Sequence, residues 1–370
     1  MPGIYIHIPF CKSKCTYCDF ASYPREIGKA EAYFACLYKE MKGRSENLKG
    51  LTFDTIYFGG GTPSFVDPKF IYGAMKQISN LYSVKPNAEV TLEVNPGTIT
   101  AEKLETYKKA GINRFSIGLQ TCKDETLRDI NRIHTVEDFN TAMDLLKDFN
   151  LSVDVMIGLP NETQADVKNT IDLATSKKGV NHISLYALKA EDGTPMYSRY
   201  LNGELPSDDE VAEIYDFAVK YLKEKGYNRY EVSNFCKEGY HSRHNLNYWK
   251  RGEYIGFGVG ASSFISGRRF TNTEKIDEYV HCILNNRVAE IFSEDVTGDD
   301  AKSEYVMLAM RTTYGLNLLE YKKLFNSSFK NDFKDAISKT RNYLEIVGQN
   351  VRIKEEYLYV QNQILVYFIG

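Results

Sequence analysis

Apolar positions in the first two-thirds of the chain follow two alternating patterns. Short apolar runs recur at Ile4–Ile8, Thr55–Phe58, Glu89–Glu93, Arg114–Ile117, Ser152–Ile157 and His182–Tyr186. Between them lie longer stretches with helical spacing, at Lys29–Lys42, Pro68–Leu81, Ala101–Ala110, Val136–Phe149 and Thr163–Ser176. Short strands separated by amphipathic helices predict βαβ units and a parallel sheet. Right-handed crossovers would curl six such units into an open or partial barrel. The pattern alone also permits a flat doubly wound sheet. The fold class is therefore α/β, read here as a partial (β/α)6 TIM-like barrel with a C-terminal α+β appendage.

Beyond Leu205-Pro206-Ser207 the spacing predicts a helix to about Lys225, with Ser207 as its N-cap. An aromatic, loop-rich stretch follows from Tyr230 to Phe270. After Asp299 two or three helices lead into a β-ribbon, with arms at Val351-Arg-Ile and Tyr357-Leu-Tyr-Val and a turn at Lys354-Glu355-Glu356. Helices followed by a hairpin resemble a winged helix. The expected domains are 1–205, 206–290 and 291–370.

Composition narrows the function classes. The chain has 370 residues, 43% of them hydrophobic, which is ordinary for a protein that buries a real core. A net charge of −3 gives no basic field for nucleic acid. No charged segment followed by an apolar one opens the chain, and no apolar run reaches the ~18 residues of a membrane span. The expected location is a reducing cytoplasm.

The chemistry sits where the predicted strands end. Cys11, Cys15 and Cys18 follow the first strand with Cys-x3-Cys-x2-Cys spacing. A structural zinc site needs four ligands, usually as two separated pairs, and no second Cys-x2-Cys exists here. Seven cysteines in a long chain do not read as a disulfide framework. Three thiolates from one loop suit a cubane iron–sulfur cluster with one iron left open. Cys36, Cys122, Cys236 and Cys282 are scattered singly, as small buried hydrophobes are.

Gly59-Gly60-Gly61-Thr62-Pro63 ends the second strand and lets a ligand approach the backbone. It is neither a dinucleotide fingerprint nor a P-loop. Glu93 closes the third strand, Gln120 follows the fourth, Arg132 lies twelve residues on, Asp154 is in the fifth and Ala187 ends the sixth. A carboxylate for an ammonium or ribose, a guanidinium for a carboxylate and an amide for a ribose suit an amino acid joined to a nucleoside. S-adenosylmethionine is such a molecule, and an open iron could chelate its amino and carboxyl groups.

The cysteine motif followed by Gly-Gly-Gly-Thr-Pro resembles the radical S-adenosylmethionine superfamily, and Tyr5-x-His7-x-Pro9-Phe10-Cys11 resembles its HemN-like branch. The resemblance implies a [4Fe–4S] cluster on Cys11, Cys15 and Cys18. It implies that Tyr5, Gly60, Gly61, Thr62, Glu93, Gln120, Arg132, Asp154 and Ala187 surround the adenosylmethionine. Coproporphyrinogen dehydrogenases of that branch carry another cysteine two residues after the third; here Phe20 stands there. They also have an N-terminal extension, whereas Cys11 lies close to Met1. Both departures point away from that reaction and toward the HemW group of haem chaperones.

The segment Tyr230-Glu-Val-Ser-Asn234-Phe235 and the element His244-Asn-x-x-Tyr248-Trp249 resemble the HemW pattern. By that resemblance His244 is the expected haem ligand, flanked by Tyr248, Trp249 and Tyr254, with His241 nearby; the plain reading of the residue is a hydrogen-bonded loop histidine. Ser262 occupies a position where relatives often have histidine. The expected function is a haem chaperone that carries a cluster and adenosylmethionine and delivers haem to apoproteins, the respiratory chain among them. An anaerobic coproporphyrinogen III dehydrogenase or related porphyrin-modifying enzyme is the alternative. An electron donor such as flavodoxin or ferredoxin is implied as a partner. Peripheral membrane association and a homodimer stay open.

Overall fold

The computed structural model describes residues 2–369. Six strands form in chain order: β1 (Gly3–Ile8), β2 (Thr52–Gly60), β3 (Ser83–Val94), β4 (Arg114–Gln120), β5 (Asn150–Ile157) and β6 (Val180–Ala187). Each pairs in parallel with the next. The crossover helices are α1 (Ala30–Arg44), α2 (Pro68–Leu81), α3 (Ala101–Lys109), α4 (Val136–Leu146) and α5 (Gln164–Thr175). Strands and helices thus fall where the alternation places them. Thr135 with Asp138 and Thr163 with Asp166 form capping boxes that start α4 and α5.

The parallel array is wider than the six expected strands. β7 (Tyr254–Phe257) pairs in parallel with the free side of β1. Antiparallel strands β8 (Ser262–Ile265), β9 (Arg268–Asn272) and β10 (Glu290–Asp295) continue from it. Beyond β6 lie two short strands, Asn234–Cys236 and Asn228–Arg229, giving a twelve-stranded sheet. The stretch from Tyr230 to Phe270 is therefore not mainly loop. Its glycines, including Gly256, Gly258 and Gly260, hid a four-residue strand from the alternation.

Helix α6 (Asp208–Glu224) begins at a capping box of Ser207 and Glu210. Two shorter helices, α7 (Arg243–Trp249) and α8 (Ile276–Leu284), complete this part of the chain. The main apolar core draws on residues between Ile4 and Ala289 and takes in Tyr215 and Leu222 of α6, while Ile130, Met156, Leu159 and Met196 form a small separate cluster. A second core runs from Tyr305 to Phe368.

In that second unit the ribbon is displaced from its expected place. The paired arms are Leu344–Val347 and Asn350–Ile353, turning at Gly348, whose φ is +60°. Glu355–Tyr357 forms a 3-10 helix, so the Tyr357 arm is absent. The charged triplet resembled a turn, but the left-handed position that only glycine adopts readily lies six residues earlier. Among the described residues no helix is long and apolar enough to cross a membrane.

Candidate functional site

A cavity of about 390 Å³ opens at the C-terminal ends of the parallel strands. Cys11, Cys15 and Cys18, all free thiols, line it. So do Gly60, Gly61, Thr62, Glu93, Gln120, Arg132, Asp154 and Ala187. Six separate strand ends thus deliver eleven of the expected residues to one place, as βα loops do in barrels.

The cysteine loop is held from several sides. Gly61 and Thr62 donate backbone N–H bonds to the Ile8 and Phe10 carbonyls at 2.8 and 2.9 Å. A Cβ on Gly61 would meet Cys11 Sγ and two backbone oxygens at 3.0 Å, so any side chain there would press on the cysteine loop. His7 Nε2 donates to the Ala21 carbonyl at 2.8 Å, and the Tyr5 hydroxyl lies 3.1 Å from His7 Nδ1. Burial pushes His7 down to about 4, which keeps the ring neutral. A neutral ring that donates through Nε2 accepts from Tyr5 at Nδ1.

Asn131 Nδ2 donates to Ser13 Oγ at 2.9 Å and to the Lys14 carbonyl at 2.7 Å. Asn131 follows the short helix Asp124–Asp129 in the left-handed region, with φ +59°. Its N–H bonds the Arg128 carbonyl and the next N–H, of Arg132, bonds the Leu127 carbonyl. These are the two bonds of a Schellman ending. That turn directs Arg132 to the loop, where its Nη1 lies 3.7 Å from Cys15 Sγ and its Nη2 donates to the Gly118 carbonyl at 2.9 Å. Its buried Nε has no hydrogen-bond partner.

Glu93 accepts from the Tyr57 hydroxyl at 2.8 Å and from the Gly60 N–H at 3.2 Å. Burial, with Asp154 adding repulsion, raises its carboxyl to about 7. Burial likewise raises Asp154 to about 6, against hydrogen bonds from Ser184 and Ser116. Two carboxyls held above their ordinary range and an unmatched guanidinium nitrogen suit a ligand carrying both a cation and an anion.

The cavity's chemistry also fits a thiolate-bound cluster. Burial raises the Cys11 and Cys18 thiols. A thiolate there needs a cation in place of its proton, as bound iron provides. Thr62 Oγ1 and Ser22 Oγ lie 3.4 and 3.7 Å from the Cys11 and Cys18 sulfurs. Phe20, 63% exposed, stands at the mouth of the same cavity.

Two expected site residues lie elsewhere. Tyr5 does not line the cavity; it sits behind it, stacked on Tyr57 at 6.3 Å and bonded to His7. His244 is 2% exposed, in α7, and its two ring nitrogens lie 2.7 Å from Thr55 Oγ1 and 2.8 Å from the Tyr248 hydroxyl. Its ring stacks on Tyr57 at 5.0 Å. An iron ligand needs a free nitrogen lone pair with open space before it. In this arrangement both nitrogens of His244 are engaged by hydroxyls and the ring does not line the cysteine cavity. Tyr248 and Tyr254 pack edge-to-face on each other at 4.6 Å, and Ser262 pairs with Thr271.

His7, Asn131 and Tyr57 are positioning residues that the sequence did not single out. His7 lay in the quoted motif but read only as part of a strand. Asn131 carried a usable signal, since asparagine just past a helix favours the left-handed ending. Tyr57 carried none.

The Radical SAM superfamily model matches residues 5–174. The haem chaperone HemW of Bacillus subtilis is 32% identical over 91% of this chain and 90% of its own length. That of Haemophilus influenzae is 33% identical over 99% of this chain and 97% of its own length. In fold, the coproporphyrinogen III oxidase HemN of Escherichia coli superposes with a TM-score of 0.87 at 20% identity, covering 99% of this chain and 90% of that one.

Proposed function

The chain belongs to the HemW family of the radical SAM superfamily, and from that premise we propose that it binds haem and hands it to haem-requiring apoproteins. Members of the superfamily in general use a [4Fe–4S] cluster and S-adenosylmethionine. In this chain Cys11, Cys15 and Cys18 would hold the cluster. Glu93, Asp154, Gln120 and Arg132, over the Gly60-Gly61-Thr62 backbone, would hold the adenosylmethionine. The observation that carries this part is the convergence of three free thiols and these polar groups on one cavity.

When bound, the cluster supplies one electron to the sulfonium. The protein's own groups orient and shield. Arg132, fixed by Gly118, presents a guanidinium to a carboxylate beside Cys15. Glu93, fixed by Tyr57 and Gly60, presents a carboxylate to an ammonium or to ribose hydroxyls. His7 holds the loop's exit at Ala21.

The haem part is supported by the names of relatives that match nearly the whole chain. Phe20 in place of a further thiol weighs against porphyrinogen decarboxylation. Haem-requiring respiratory proteins, a flavodoxin- or ferredoxin-like electron donor and a second copy of this chain are the partners of this reading. The test is anaerobic reconstitution followed by paired assays. The expected result is about four irons per chain, bound haem in the visible spectrum and no carbon dioxide from coproporphyrinogen III. Porphyrinogen turnover without stable haem binding would replace the proposal with the enzyme reading.

A further inference from the structure

Below the cysteine cavity the interior of the barrel is polar. Branched apolar side chains usually fill that space. Here Thr91, Arg114, Ser116, Ser152, His182 and Ser184 occupy it, each at most 5% exposed. Strand register sets some of them side by side. Ser152 on β5 pairs with His182 on β6, and Asp154 pairs with Ser184. Residues two apart on a strand share a face, so these four side chains point the same way.

From Asp154 the hydrogen bonds run in one unbroken line. Asp154 accepts from Ser184. Ser184 Oγ lies 3.3 Å from Ser152 Oγ, which lies 2.7 Å from His182 Nδ1. His182 Nε2 lies 2.8 Å from the Tyr230 hydroxyl. The Ser242 N–H donates to that hydroxyl at 3.2 Å, just before helix α7. A backbone N–H only donates, so the Tyr230 oxygen accepts there and turns its own proton to His182 Nε2. The ring then carries its proton on Nδ1 and donates to Ser152, Ser152 donates to Ser184, and Ser184 donates to the carboxylate. Every donor points toward an ionised Asp154.

A protonated Asp154 is served by the reverse line. The carboxyl donates to Ser184, Ser184 to Ser152 and Ser152 to His182 Nδ1, and the ring carries its proton on Nε2. One proton taken up by the Tyr230 oxygen, with one hop along each link, converts the first state into the second. Only N–H and O–H bonds form and break, and the line gains the one proton that Asp154 gains.

The charges around both ends are compatible with this exchange. Asp154 is faced by Glu93, Tyr57, Tyr186, Arg114 and Arg132. Beside His182 lie Arg114, Tyr230 and His241. Burial, then Arg114, then His241 hold His182 well below the usual imidazole range, so the ring stays neutral in either tautomer. The Tyr230 ring meets the His241 ring edge-on at 4.9 Å. His241 Nε2 lies 2.7 Å from the hydroxyl of Tyr314, which is 44% exposed, so the line ends close to solvent.

We infer that Ser184, Ser152, His182 and Tyr230 form a proton path through the barrel that serves Asp154, with His182 as a positioning residue whose tautomer follows the carboxylate's charge. The inference rests on the adenosylmethionine reading above for its purpose. A cationic ligand needs Asp154 ionised and, once seated, covers the cavity side of the carboxyl. The proton that Asp154 gives up leaves by the opposite end. A merely structural cluster would keep one tautomer at every pH.

The test is nitrogen NMR of the full-length, ligand-free chain with isotope-labelled histidine, alongside infrared spectra of its carboxyl groups. His182→Gln identifies the His182 ring signals, and Asp154→Asn identifies the Asp154 carboxyl band. The expected result is a neutral His182 throughout, with its proton on Nδ1 at about pH 8 and on Nε2 at about pH 5. The change should coincide with the appearance of the Asp154 carboxyl band, at about 6. Ser152→Ala cuts the line without touching Asp154, so the carboxyl should still titrate while the tautomer stops following it. A parent tautomer that stays fixed while Asp154 titrates would overturn the path. So would a tautomer change that survives in Ser152→Ala or Asp154→Asn, or a carboxyl that does not titrate between these limits. Adding adenosylmethionine to the reconstituted protein at about pH 6 should return His182 to the Nδ1 form. An intact pH response with no response to adenosylmethionine would leave the path standing and overturn the placement of that ligand beside Asp154.

Discussion

At the residue scale the same barrel interior sets opposite behaviour for Glu93 and His244. Burial holds Glu93 protonated up to about pH 7 in the empty site. Its folded pKa lies above its unfolded one, so its contribution to stability is present at low pH and is lost as pH rises through about 7. A cationic ligand needs the ionised form. S-adenosylmethionine affinity in the reconstituted protein should therefore strengthen as pH rises from about 6 to 8, and Glu93→Gln should flatten that dependence and weaken binding; equilibrium dialysis across pH reads both. His244 is pushed the other way, to about 3, by burial and then by Arg114. The unfolded chain takes up a proton that the folded one refuses, so its stabilisation is complete above the ordinary histidine range and declines as pH falls toward 3. His244→Ala removes a packed ring and leaves Thr55 and Tyr248 short of a partner. It should cost roughly 2–4 kcal/mol of unfolding free energy in denaturant titration. Loss of the haem band in the folded variant would assign His244 the ligand role, and an unchanged band would confine it to packing. The motif around His244 was legible in the sequence, but its burial was not: helix α7 turns inward because Glu89 accepts from the Arg243 and His244 backbone N–H groups at 3.1 and 3.0 Å, a partner 154 residues away for the first.

At the scale of elements, what could be read was set by period and by chemistry at strand ends. The alternation placed six strands and five helices, because a buried parallel strand is nearly all apolar and a crossover helix is amphipathic. β7 escaped because it is only four residues long and Gly256 interrupts it, and the C-terminal ribbon was shifted because charge was read as a turn where Gly348 makes one. The cysteines, glycines and strand-end polar residues were visible, whereas the groups that aim them were not. Asn131 shows why: its two loop hydrogen bonds cross 117 residues or more, and only the left-handed ending of its helix has a local signal. Asn131→Ala should leave the barrel folded, within about 1–2 kcal/mol of the parent, yet free one side of the cysteine loop. The expected readout is lower iron content after reconstitution and faster bleaching of the cluster absorbance in air. Parent-like iron retention would assign loop rigidity to His7 and Thr62 alone.

The whole molecule joins two cores across a junction that combines ion pairs with a small apolar cluster of Phe264, Val296 and Ala301, on which Tyr254 and Phe325 pack. Glu304, on the helix Gly298–Ala309, accepts from Arg251 Nε at 2.7 Å and also pairs with Arg269. Arg251 and Arg269 belong to the barrel side, and their guanidinium groups also lie 4.6 and 5.7 Å from the Phe264 ring centre. Nearby, Arg229 reaches the Glu355 carbonyl at 2.6 Å and Tyr215 stacks on Tyr359 at 4.3 Å. Glu304 thus compensates two cations where the cores meet, with its side chain only 12% exposed. Removing one partner of a buried pair costs more than the pair contributes, because the other charge stays desolvated. Allowing for the partial exposure of Arg269, Glu304→Ala should loosen the junction by about 2 kcal/mol. The C-terminal core has its own apolar interior and should remain folded. Amide hydrogen exchange should therefore quicken along the helix Gly298–Ala309 and around Tyr357, while β1–β6 keep their protection. Uniform acceleration across both cores would instead mean that the two fold as a single cooperative unit and that the junction is no separate point of yielding.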